Sequence, residues 1–77
     1  MKYHIEIQIS VGSNIENKYC VVEYPLDRNN LQQYIRNMIS SNDFIHLNSD
    51  PDKVNDGKKT SYLIRTDRIY SVNISEK

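Results

Sequence analysis

The chain has 77 residues, ten basic and ten acidic side chains, a single cysteine, and neither alanine nor tryptophan. That length predicts one domain, 1–77, with a thin core, since folding at this size buries only about 60% of the surface the unfolded chain exposes. Zero net charge excludes a long-range field able to gather nucleic acid or an anionic membrane. Cys20 alone excludes an internal disulfide framework, and no apolar run approaches the roughly 20 residues needed to span a bilayer. Met1-Lys2-Tyr3-His4 lacks the apolar stretch of a signal peptide, so the expected compartment is the cytoplasm. Abundant Ile, Asn, Lys and Tyr fit an AT-rich coding sequence, such as that of a low-GC bacterium, its mobile elements or a phage.

From Tyr3 to Val11 apolar and polar residues alternate without exception, the period of a strand with one buried face. Gly12-Ser13-Asn14 supplies turn chemistry, and Lys18 to Tyr24 reads as a second strand stopped by Pro25. A hairpin with a loose loop, pairing Ile9 with Cys20, Ile7 with Val22 and Ile5 with Tyr24, sends both apolar sets to one side. This register sets Glu6 against Glu23, a like-charge conflict that a one-residue bulge relieves. Leu31, Tyr34, Ile35, Met38 and Ile39 then recur at helical spacing, with Asp27 or Asn29 as N-cap and Ser40-Ser41-Asn42 closing the helix.

Phe44 to Leu47 reads as a third strand. Residues 48–57 carry the densest turn signals in the chain and are expected to be exposed and mobile, with Asp56-Gly57 turning into a strand from Thr60 to Arg65. The chain bends at Thr66-Asp67-Arg68 into a last strand, Ile69 to Ile74, whose Tyr70, Val72 and Ile74 alternate inward. The expected fold class is therefore α+β: ββαβββ, with one amphipathic helix packed on a mainly antiparallel five-stranded sheet.

Catalytic and ligand motifs are scarce. Asp50, Asp52 and Asp56 suggest a calcium loop, but an EF-hand register from Asp50 puts Val54 at a ligand position and Ser61 where a bidentate glutamate belongs. Cys20, His4 and His46 lack the paired spacing of a zinc site: Cys20 reads as a small buried hydrophobe, and the two histidines as strand residues near the surface. No set of nucleophile, base and orienting group is recognisable, and two glycines make no phosphate-cradling loop. These patterns predict neither an enzyme nor a bound cofactor or metal.

Lys58, Lys59, Arg65 and Arg68 cluster with Tyr62 and Tyr70, a mixture suited to neutralising phosphates and stacking bases of RNA or single-stranded DNA. Within this segment, Ile64-Arg65-Thr66-Asp67-Arg68-Ile69-Tyr70-Ser71-Val72 resembles in spacing the second sequence motif of Sm-like RNA-binding proteins. Thr66 stands where that motif has glycine and Arg68 where it has asparagine, and the helix lies between strands two and three instead of before the first. The resemblance implies a strand, short turn, strand geometry. The leading expectation is instead a non-catalytic protein-interaction or oligomerisation module. Tyr19, Val21 and Ile69 fall on the face opposite the helix, where a homodimer partner or a larger protein would cover them.

Overall fold

A computed structural model describes residues 1–53 and 60–76. Its strands are β1 (Lys2–Val11), β2 (Asn14–Glu23), β3 (Phe44–Ser49), β4 (Ser61–Arg65) and β5 (Ile69–Glu76), with helix α1 (Arg28–Ser41) between β2 and β3. All strand pairs are antiparallel and form one sheet in the order β4-β3-β2-β1-β5, giving the expected α+β architecture. The Asp56-Gly57 turn lies outside the described residues.

β4 and β5 stand at opposite edges of this sheet, yet only a 3-10 turn, Thr66–Arg68, joins them. Four gaps of about 4.8 Å would hold the edges of a flat sheet roughly 19 Å apart. A 3-10 turn advances only about 2 Å per residue, so the sheet has to curl until its edges converge at that end. The strand, short turn, strand geometry implied by the Sm-like resemblance is present here. Thr66 secures the turn, its hydroxyl donating to the Asn42 carbonyl at 2.7 Å and its amide to the Asp43 carbonyl at 2.9 Å.

The hairpin differs from expectation in register. Ile5 pairs with Cys20, Tyr3 with Val22 and Ile7 with Lys18, four residues from the expected alignment, because Val11 pairs with Asn14 across a two-residue Gly12-Ser13 turn. Gly12 has φ +61°, the left-handed conformation such tight hairpin turns need at their first position. A shift of four keeps every side chain on its expected face but changes its neighbours: Glu6 meets Tyr19, Lys2 meets Glu23, and the like-charge conflict does not arise.

A second correction concerns β5. Gln8 pairs with Ser71 but Ile9 with Ile69, so Tyr70 is an extra residue bulged between them. The bulge reverses the face before it: Ile69, Val72 and Ile74 pack on the core, while Tyr70 points outward and is 69% exposed. Ile69 therefore leaves the expected outer patch, and Tyr70 leaves the inward set.

The core joins Tyr3, Ile5, Ile7 and Cys20 of the hairpin to Leu31 and Ile35 of α1 and to Ile45, Leu47 and Ile64 of β3 and β4. α1 lays its Leu31/Ile35 stripe on this layer. Its N-terminus is capped by Asp27, whose carboxylate accepts from the Asn30 amide at 2.9 Å, a bond that holds the carboxyl below its ordinary range. The Tyr3 hydroxyl donates to the Leu26 carbonyl at 2.7 Å, tying the chain entering α1 to β1.

Candidate association surface

The face of the sheet away from α1 holds Tyr19 and Val21, two of the side chains singled out in the sequence. β1 contributes His4, Glu6 and Gln8 there, and β2 contributes Tyr19 and Val21, paired with Glu6 and His4 respectively. Tyr19 and Val21 are half-buried. Part of their cover comes from the chain itself, since the turn after β3 folds back on them: the Asp50 amide donates to the Tyr19 carbonyl at 2.9 Å, and Pro51 and Asp52 border Val21.

Asp50 anchors that turn and, with Ser49, departs from the exposure expected of residues 48–57, whereas Asn48, Asp52 and Lys53 are exposed. Asp50 is 1% exposed, as Ser49 is 2%, and one carboxylate oxygen lies 2.5 Å from His4 Nδ1 while the other accepts from the Asp52 amide at 3.0 Å. Ser75 faces His4 across the β1–β5 pair, but no hydrogen bond joins its hydroxyl to the imidazole. The His4–Asp50 contact therefore clamps the turn to the sheet. Cys20 lies on the opposite face and is 1% exposed; burial and the Asp50 carboxylate push its thiol up to about 11, so it stays protonated near neutrality. Among the described residues no group of three or more His, Cys, Asp or Glu is placed to hold a metal, and no helix is long and apolar enough to cross a membrane.

Of the basic and aromatic segment, Tyr62, Arg65 and Arg68 border one groove together with Lys18, whereas Tyr70 is not among its lining residues. Tyr62 packs toward the core, with Lys18 Nζ 5.3 Å from its ring centroid. Arg65 is paired with Asp67 at 2.9 Å, Arg68 is exposed at the end of the turn, and Tyr70 is exposed on β5. Lys58 and Lys59 lie outside the described residues.

On the outer face the aliphatic side chain of Leu63 is 70% exposed and the Phe44 ring 49%. His46 pairs with Leu63 and Phe44 with Arg65, so Phe44 and Leu63 are diagonal neighbours across β3 and β4, roughly 7–8 Å apart at Cα. The sequence did contain a signal for this: Tyr62-Leu63-Ile64 is an apolar triplet in a strand, and a period of two forces one member outward.

Beside Leu63 runs the free edge of β4. The Ser49 amide donates to the Thr60 carbonyl at 2.7 Å and the Thr66 amide to the Asp43 carbonyl at 2.9 Å, which fixes the phase of the β3–β4 ladder. Tyr62 and Ile64 therefore bond inward to β3, while Ser61, Leu63 and Arg65 turn their N–H and C=O groups away from it. No protein-family model, curated protein or solved structure matches the chain.

Proposed function

We propose that this protein works by association, and that its first partner is a second copy joined antiparallel through β4. The observation that carries this reading is the unused hydrogen-bonding edge of Ser61, Leu63 and Arg65, beside a leucine that is 70% exposed. A two-fold axis at Leu63 sets it against its own copy and sets Arg65 against Ser61, so the edge is self-complementary and no like charges meet. The two Leu63 side chains then lie together on the outer face, with a Phe44 beside each. Tyr19 and Val21 contribute at the margin of this surface, whereas Ile69 belongs to the core.

Light scattering should give twice the monomer mass at micromolar concentration. Leu63→Pro removes an N–H that β3 does not use, so it should yield a folded monomer with an unchanged circular dichroism spectrum. Leu63→Lys should do the same by placing two cations at the axis. A wild-type monomer at about 100 μM, which sets the dissociation constant above the low-micromolar range, overturns the reading. Binding of single-stranded RNA at low salt, lost in Arg68→Ala, would favour instead the nucleic-acid reading through exposed Arg68 and Tyr70.

A further inference from the structure

The opposite edge of the sheet has a different character. Between α1 and β5 runs an open groove of about 540 Å³, floored by Ile35, Ile39, Val72 and Ile74 and bordered by Arg28 and Arg36. The Tyr24 amide donates to the Met1 carbonyl at 2.8 Å, which fixes the phase of the β1–β2 ladder and so leaves His4, Glu6 and Gln8 to bond toward β5. Their partners Ser75, Asn73 and Ser71 are thereby used, while Val72 and Ile74 present free N–H and C=O groups along the groove.

Charge defines what fits. Arg28 and Arg36 form no ion pair among the described residues and lie eight residues apart on α1, about 12 Å along its axis. Residues four apart on one face of an extended strand are separated by about 13 Å, which matches that spacing. Arg28 has the Asp27 carboxylate next to it in the chain, whereas Arg36 has no acidic residue within four positions. Arg36 is the cation with less compensation.

We infer that this groove receives an extended acidic segment of a partner protein, which adds to β5 as a sixth strand. Its backbone pairs with Val72 and Ile74, an apolar side chain covers Ile35 and Ile39, and carboxylates flanking that side chain by two residues meet Arg28 and Arg36. A second copy of β4 is a poor occupant, because Ser61-Tyr62-Leu63-Ile64-Arg65 has no carboxylate and would bring Arg65 toward two other guanidinium groups. The groove thus acts independently of the β4 contact.

The test is a fluorescence and amide-NMR titration of the whole protein with an acetylated ten-residue peptide, in which glutamate and valine alternate with threonine. Binding should shift the amides of Val72, Ile74 and α1 and leave Leu63 unmoved. Arg36→Glu should weaken the complex about tenfold and reverse the preference, so that a lysine-for-glutamate peptide binds the variant better than it binds wild type. Equal affinity of wild type for the two peptides overturns the inference. So do shifts confined to β4, preference for a uridine oligonucleotide, or no binding at about 1 mM peptide, the weak limit of specific recognition.

Discussion

Along β1, Tyr3, Ile5 and Ile7 point into the core and are at most 1% exposed. His4, Glu6 and Gln8 point the other way, and each finds a polar partner on a different element: Asp50 at 2.5 Å, Asn73 at 3.4 Å and Ser71 at 2.6 Å. One face is held by excluded water and filled volume, the other by hydrogen bonds between residues far apart in sequence. The first kind of stabilisation tolerates no missing atoms, because a tight interior only partly collapses around a void. The second depends on both members of each pair being present.

Ile5→Ala should separate the two faces most sharply. It removes buried carbons at the centre of the core and should cost about 2–5 kcal/mol, read as a lower urea midpoint at unchanged slope. A loss below about 1 kcal/mol would mean that the inner face is not close-packed. Asp50→Ala should cost less, about 1–3 kcal/mol, since it leaves His4 and the Asp52 amide without their acceptor. In a double-mutant cycle with His4→Ala the two losses should fall short of additive; strict additivity would show that the clamp contributes nothing.

The smallest effect is a pH dependence. The Cys20 thiol holds its proton to about 11 in the folded protein against 9.0 as its ordinary value, so its contribution is complete below pH 9 and is lost as pH rises toward 11. Over that interval one proton changes stability by at most about 1.4 kcal/mol per pH unit. Tyr3, raised first by burial and then by the Glu76 and Asp27 carboxylates, acts in the same direction above pH 10.0. Cys20→Val should therefore flatten the alkaline limb without abolishing it, as followed by urea unfolding at pH 8, about 9.5 and about 10.5. An unchanged limb would show that the thiol does not titrate through unfolding.

What was legible in the sequence follows the same division. The alternation from Tyr3 to Val11 identified the buried face of β1, and the spacing of Leu31 and Ile35 identified the buried stripe of α1, because both record contact with one apolar layer. Hairpin register escaped by four residues, since a shift by an even number preserves every face and only the tightness of the Gly12-Ser13 turn decides between alternatives. The bulge at Tyr70 was hidden because Ile69 and Tyr70 are both good strand residues, so nothing local marks either as extra. Asp50 sits in a turn-rich stretch that predicts exposure, and its partner His4 is forty-six residues away. The surface that the proposal uses was half visible: the triplet Tyr62-Leu63-Ile64 signalled one outward apolar residue, but which edge it bordered required the strand order.

The closeness of the first and last strands has a kinetic consequence. Ile5 and Ile74 pair although sixty-nine residues separate them, whereas the β1–β2 hairpin and α1 involve only near neighbours. Entropy opposes closure of so long a loop until β3 and β4 have docked and the 66–68 turn delivers β5 to its place. Zippering of β5 onto β1 is thus expected as the late event in folding. Val72 and Ile74 form the outer rim of that last-zipped strand, so deuterium should enter β5 amides before those of the β1–β2 hairpin, and a ligand bound along this rim would slow that uptake.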